Sequence, residues 1–204
     1  MGHAELPIAA RVRQLEERVI DAGLATDAEL DTALADLYQK ASPLNGGRMV
    51  ARAWADPEYR DRLLADGDAA AGELGFGDFS YRLKVVANAP GQHNMIVCTL
   101  CSCYPVSLLG PSPSWYKSLA YRSRAVREPR AVLAEFGLDL PGDTEIVVWD
   151  ATAETRYLVL PCRPPGTEGL SEEKLASLVT RDGLIGTAAV RPRKKHFPKR
   201  LAGA

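Results

Sequence analysis

The start of the chain alternates apolar and polar positions with a helical period. Ile8, Val12, Leu15 and Val19 recur at spacings of four, three and four, which draws one apolar stripe along a helix. Gly23 ends it, and Thr26 with Glu29 forms a capping box for a second helix carrying Leu30, Leu34, Leu37 and Tyr38 on one side. Two short amphipathic helices have little of their own to pack against. Either they fold onto the rest of the domain or they form an arm around another subunit. Pro43 and Asn45-Gly46-Gly47 predict a break. Asp56-Pro57 then supplies an N-cap and a first-turn proline for a helix over 58–65, and a further helix is expected over 68–74.

After a second break at Gly75 and Gly77 the texture changes. Residues 81–87 and 95–97 read as strands rich in β-branched side chains. Residues 121–136 read as a helix that Pro129 should end or kink. Residues 146–149 and 156–160 predict two strands joined by a polar loop. Ser171 caps an acidic first turn, Glu172 and Glu173, of a last helix running through Thr180. The fold class expected is α+β, with an N-terminal helical arm followed by a globular domain of layered strands and helices. The boundaries expected are 1–77 for the helical part, 78–188 for the α+β domain and 189–204 for a tail.

Composition narrows the function classes. With 46% hydrophobic residues, 25% charged residues and a net charge of −1, the chain reads as soluble and globular, without a global basic field for nucleic acid. No apolar run approaches the ~20 residues of a membrane span. No basic-then-apolar signal segment opens the chain, and Leu6 stands where a myristoylation site would need Ser or Thr. The expected location is cytoplasmic, where thiols persist and tight cysteine clusters more often hold metal than disulfides. The basic run from Arg191 to Arg200 reads as a solvated terminus, the alternative being contact with a partner or polyanion.

The chemistry concentrates in Val97-Cys98-Thr99-Leu100-Cys101-Ser102-Cys103, which holds three of the four cysteines. A disulfide wants Cα atoms about 5.5–6 Å apart, which an i, i+2 pair reaches only under strain. A zinc knuckle from Cys98 and Cys101 needs a second pair of ligands, and Cys162, His93, His196 and His3 form none. The spacing suits a compact claw instead. Three sulfurs lie on one side of an ion, with the Ser102 and Cys103 peptide nitrogens between them. Amide nitrogen binds only after deprotonation, which calls for a strongly Lewis-acidic, trivalent metal rather than zinc. Cys162, alone after a strand, reads as packing.

This stretch resembles the metal-binding loop of nitrile hydratase alpha subunits and of the related gamma subunit of thiocyanate hydrolase. The likeness continues through Tyr104-Pro105, Leu109-Gly110, Pro113 to Lys117, Tyr121 to Arg130, Trp149 to Tyr157, Arg163 to Gly169 and Val179 to Gly186. Upstream it includes Ala51 to Tyr59 and Leu64 to Gly67, so that it spans roughly residues 8–188. The resemblance implies a hydro-lyase that turns a nitrile into an amide at a non-corrin Co(III), with Fe(III) as the alternative; Thr99, where iron-type members carry Ser, favours cobalt. It implies Cys98 as thiolate, Cys101 as sulfinate and Cys103 as sulfenate, with the main-chain nitrogens of Ser102 and Cys103 completing five ligands. Cys103 and Cys101 would then be the catalytic residues. It further implies a beta-type subunit whose arginines clamp the oxidised sulfurs, and a metallochaperone or activator.

Around the loop, Thr99, Asp150, Glu154 and Arg156 are expected to orient it from outside the ligand set, with Gln92 on weaker grounds. For Asp150, Glu154 and Arg156 an ordinary hairpin ion pair stands equally open. Arg122, Arg124, Arg127 and Arg130 read mostly as decoration of a helix face. Val106 and Trp115 are expected to line the substrate pocket. Many family members carry Trp at position 106, and the thiocyanate enzyme carries Arg. Valine there would widen the pocket for a bulky nitrile, as in the three-subunit members that act on toyocamycin. Thiocyanate hydrolysis and a zinc-binding structural module are the other functions considered.

Overall fold

The computed structural model describes residues 7–77 and 79–192. The basic run from residue 193 onward lies outside them, as do His3 and His196. The chain divides into two compact units, Met1–Lys40 and Ala41–Ala204. The first contains α1 (Ile8–Asp21) and α2 (Asp27–Lys40), neither with a buried residue. The capping box forms as its residues predict. The Thr26 N–H donates to Glu29 Oε2 at 2.8 Å, and the Glu29 N–H donates back to Thr26 Oγ1 at 3.3 Å.

In the second unit the expected break at Pro43 and Asn45-Gly46-Gly47 is instead the first turn of α3 (Pro43–Ala55). Ser42 Oγ accepts the Leu44 N–H, and Pro43 sits at the first helical position, where no donor is lost. The two glycines are not breakers, because they serve packing. A Cβ on Gly46 would stand 2.9 Å from the Leu108 carbonyl oxygen, and one on Gly47 2.9 Å from that of Ala176. α4 (Pro57–Ala65) and α5 (Gly67–Glu73) follow, each capped by an aspartate, Asp56 and Asp66. Residues 41–77, expected with the arm, make their contacts here, where α4 and α5 pack on β1 (Arg82–Ala87).

β2 (Gln92–Val97) leads into the cysteine loop, and α6 (Val106–Leu109) leaves it. A 3-10 turn at Ser114–Lys117 precedes α7 (Leu119–Arg124) and α8 (Pro129–Glu135). Pro129 thus opens a second helix rather than kinking one. β3 (Glu145–Asp150) and β4 (Thr155–Leu160) do not pair with each other. β1 pairs β4 and β2 pairs β3, both in parallel, so each two-stranded sheet joins a strand from before the loop to one from after it. The last expected helix stops short of Thr180: α9 covers Glu172–Ala176, and a further helix, α10 (Arg181–Ile185), follows beyond the expected end. Thr180 takes the Gly183 N–H at 3.1 Å and restarts the chain as an N-cap instead of continuing α9. Met49, Leu63, Met95, Ile96, Leu133 and Leu158 are fully buried between the helices and the strands. No described helix is long and apolar enough to cross a membrane.

A polar network runs through this apolar core. Asn88 Oδ1 accepts the Asn94 N–H at 2.7 Å, and Asn94 Oδ1 accepts Trp149 Nε1–H at 2.8 Å. His93 lies between Asn88 Nδ2, 3.2 Å from Nδ1, and the Gly186 carbonyl oxygen, 2.7 Å from Nε2. Because Asn88 Oδ1 is already taken, its amide presents N–H to the ring. His93 is therefore the tautomer that donates from Nε2 and accepts at Nδ1. Gly186 comes close enough only because it lacks a side chain. At φ 89° its Cβ would lie 2.1 Å from the Asn94 oxygen.

Burial lowers the His93 pKa, against an opposing pull from the Gly186 carbonyl. With the folded pKa below the unfolded one, the unfolded chain takes up more protons as pH falls. The stability contributed by neutral His93 is present above about pH 6.5 and is lost as pH falls toward the lowered folded value. Urea unfolding is expected to show a midpoint that drops between about pH 7 and pH 5.5, and His93→Gln should flatten that dependence. An equal slope in the variant would place the titrating group elsewhere.

Candidate metal centre

The cysteine loop starts where a ladder ends. Val97 faces Asp150 across the β2–β3 pair, and the Ala151 N–H still donates to the Val97 carbonyl at 2.7 Å. Cys98 therefore leaves a rigid strand end and is buried. Cys101 is exposed at the loop, and Cys103 is buried again as the chain enters the core. The three sulfurs lie within 4.8 Å of one another, with Cys101 Sγ 3.4 Å from Cys98 Sγ and 3.2 Å from Cys103 Sγ.

Amides converge on the same space. The Cys101 N–H donates to Cys98 Sγ at 3.3 Å. Cys101 is held below the ordinary thiol range by the neighbouring thiols of Cys103 and Cys98 and then by the Ser102 and Cys103 N–H groups. Burial first, and the other sulfurs second, push Cys103 up. The side chains that converge are thus three sulfurs, with the Cys101 N–H turned toward one of them. Among the described residues no histidine or carboxylate joins the cysteines, and His93 is engaged elsewhere. This composition fits a sulfur-and-amide metal site better than a zinc site built from four side chains.

The loop is gripped from several sides. Asp150 accepts the Thr99 N–H at 2.9 Å and the Thr99 hydroxyl at 2.5 Å. Arg122 on α7 donates to the Thr99 carbonyl at 2.8 Å and the Leu100 carbonyl at 2.7 Å. At the far end Arg156 donates to the Tyr104 carbonyl at 2.7 Å, its guanidinium stacked 4.3 Å over the Tyr81 ring. Tyr116 donates its hydroxyl to the Cys103 carbonyl at 3.1 Å, and Tyr121 its own to the Ile96 carbonyl at 2.7 Å. Burial raises both phenol pKa values, so they stay protonated donors.

The expected surroundings sort accordingly. Thr99, Asp150 and Arg156 meet the loop, and Asp150 and Arg156 do so separately, at its two ends, rather than as a hairpin ion pair. Glu154 is exposed and contributes its backbone carbonyl to Arg82. Gln92 begins β2, whose other end carries the loop, and lines a cavity of about 340 Å³ with His93 and Cys162. The structure does not bring it to the sulfurs. Val106 opens α6 and is half-buried, as is Trp115, whose ring packs against Tyr121 and Phe136 at centroid distances of 4.9 and 4.6 Å. Of the helix arginines, Arg124 pairs with Glu128 and Glu135, and Arg130 binds the carbonyls of Leu140, Pro141 and Thr144. Arg122 departs from that decorative pattern. Spacing could not single it out or reveal the two phenols, because these contacts join segments 13 to 25 residues apart through tertiary packing.

A family model described as nitrile hydratase, alpha chain, matches residues 6–188. The low-molecular weight cobalt-containing nitrile hydratase subunit alpha of Rhodococcus rhodochrous is 51% identical over 182 residues, covering 89% of this chain and 88% of that protein. The thiocyanate hydrolase subunit gamma of Thiobacillus thioparus is 45% identical over 190 residues, covering 87% and 78%. Among solved structures, a double mutant of the Fe-type nitrile hydratase from Comamonas testosteroni Ni1 superposes with a TM-score of 0.88 at 43% identity, over 97% of this chain and 98% of that one. The likeness takes in both the scaffold and the cysteine loop it carries, and the chain belongs to the nitrile hydratase alpha-chain family.

Proposed function

We propose that this chain is the metal-carrying subunit of a nitrile hydratase, a hydro-lyase that converts R–C≡N and H₂O to R–C(O)NH₂ at a non-corrin Co(III). The observation that carries this reading is the convergence of three cysteine sulfurs at a strand end, within 4.8 Å of one another. Cys98, Cys101, Cys103 and the main-chain nitrogens of Ser102 and Cys103 would hold the ion, which supplies Lewis acidity when bound. Cobalt is favoured over iron by the relative named cobalt-containing. The Thr99 hydroxyl goes to Asp150, a bond that serine would make equally well, so it carries little of that choice.

Cys101 would be the sulfinate and Cys103 the sulfenate. Exposure of Cys101 supports its oxidation and leaves the loop open to a metallochaperone or activator. As a sulfenate, Cys103 gives the site an oxygen base for the attacking water. Oxygenated sulfurs need cationic donors. Arg122, Arg124, Arg127, Arg130 and Arg156 are engaged with carbonyls and carboxylates of this chain. That supports clamping arginines from a beta-type subunit. Leu100, 87% exposed on the loop, and the exposed Ile8, Val12, Leu34 and Leu37 offer that subunit apolar surface. Free thiols throughout fit the cytoplasm.

Native mass spectrometry of the protein expressed with cobalt and its partner should find one cobalt and three added oxygens, two on Cys101 and one on Cys103. Zinc, or no metal with unmodified thiols, would sink the mechanism. Asp150→Asn removes the carboxylate that receives both Thr99 donors, and it should lower cobalt affinity or turnover about 10- to 100-fold with the fold intact by circular dichroism. Wild-type turnover and cobalt content in that variant would make Asp150 dispensable. Val106, small where an aromatic wall would narrow the pocket, supports a bulky nitrile over thiocyanate, whose anion would profit from positive charge there. A fused heteroaromatic nitrile is expected to show a higher kcat/KM than acetonitrile, and the reverse order would count against the widened pocket.

A further inference from the structure

The loop from Cys98 to Cys103 can point its peptide groups either way, and only one choice turns N–H groups toward the sulfurs. In a trans peptide the C=O and the following N–H point in opposite directions. The Leu100 carbonyl and the Cys101 N–H belong to one such unit, as do the Thr99 carbonyl and the Leu100 N–H. Arg122 donates to both carbonyls, through Nη2 to Leu100 at 2.7 Å and through Nη2 and Nε to Thr99 at 2.8 and 3.3 Å. On the opposite side of the first unit, the Cys101 N–H reaches Cys98 Sγ at 3.3 Å. Asp150 fixes the preceding N–H, that of Thr99, from the β3 end. The segment is therefore held with its Thr99 and Leu100 carbonyls on Arg122 and its Cys101 N–H on the Cys98 sulfur.

We propose that Arg122 is a positioning residue for the metal centre. Its planar fork, bridging two successive loop carbonyls, sets the orientation of the Thr99–Leu100 and Leu100–Cys101 peptides and so aims the Cys101 amide at the Cys98 sulfur before any metal is bound. This rests on the metal-centre reading for its consequence, but not for its geometry. The cation also polarises those peptides, strengthening the N–H···S contact to Cys98. A lysine cannot reproduce this, because a single ammonium on a flexible stem does not present the fork. Arg122 touches no sulfur, so its effect passes through the backbone.

The test is amide hydrogen exchange in the metal-free full chain, comparing wild type with Arg122→Lys and Arg122→Ala. Arg127→Ala is the control, since Arg127 donates to the Ser123 carbonyl beside it and not to the loop. Both Arg122 variants should speed exchange at Cys101, whose N–H is held on the Cys98 sulfur, about tenfold or more. β1 amides, and the loop amides of the Arg127 variant, should keep wild-type rates. After cobalt loading, the Arg122 variants should show a shifted sulfur-to-cobalt charge-transfer band and lose metal to a chelator about tenfold faster. Wild-type loop exchange in both Arg122 variants overturns the proposal, and full rescue by lysine overturns the role of the fork. Faster exchange in β1 as well would make Arg122 a general stabiliser and reject the positioning role. Failure of the wild-type chain to take up cobalt would defeat the metal reading alone, leaving the exchange result to judge the clamp.

Discussion

Parallel registration of β2 against β3 is the constraint from which the site follows. Val97 opposes Asp150 at the end of the ladder, and one further bond, Ala151 N–H to the Val97 carbonyl, closes it. A slip of one residue would turn the Asp150 carboxylate to the other face of the sheet, as it would every side chain of β3. In the observed register both its oxygens meet Thr99, the first residue after Cys98. The loop therefore begins at a fixed point and in a fixed direction, and the remaining grips act on a segment that is already aimed.

That register is itself specified by a polar core. Asn94 sits on β2 and accepts from Trp149 on β3, while Asn88 at the end of β1 binds the Asn94 main chain. His93 ties β2 to the end of α10 through Gly186. Apolar strands slide at little cost, since one β-branched side chain packs much like another. A buried amide that loses its partner costs about 1–3 kcal/mol, so the Asn94–Trp149 bond penalises a shifted β2–β3 pairing, while the other two fix β2 against β1 and α10. The two small parallel sheets gain from the polar residues a definiteness that Val85, Val86, Val147 and Val148 could not supply alone.

Much of this was legible along the chain, and the misreadings share a cause. The three clustered cysteines stood out because their chemistry is local, with all three inside six residues. The Thr26–Glu29 capping box and the Asp56-Pro57 helix start were legible for the same reason. Gly46-Gly47 read as a break because glycine's helix penalty is intrinsic, whereas its use against Leu108 and Ala176 is tertiary. β3 and β4 read as neighbours because adjacent strands usually pair, yet each finds its partner before the cysteine loop. Arg122 read as surface decoration because nothing at positions 121–130 tells which arginine faces a loop more than twenty residues upstream. Gln92 drew attention by its closeness in sequence, and the extended strand carried it away from the sulfurs instead.

The grips divide the loop into two electrostatic sides. Carbonyls of Thr99, Leu100, Cys103 and Tyr104 point away from the claw and are met by Arg122, Tyr116 and Arg156. On the side facing the sulfurs the Cys101 N–H reaches Cys98 Sγ. This arrangement balances the backbone without neutralising the sulfurs. Once a metal has displaced their protons, as proposed, the three sulfurs would carry charge that the Cys101 amide dipole offsets only in part. The five arginines considered as partners are bound to acceptors on the other side or elsewhere. On the proposed reading, a chain built this way holds three sulfurs rigidly and leaves their charge to be met by a bound cation.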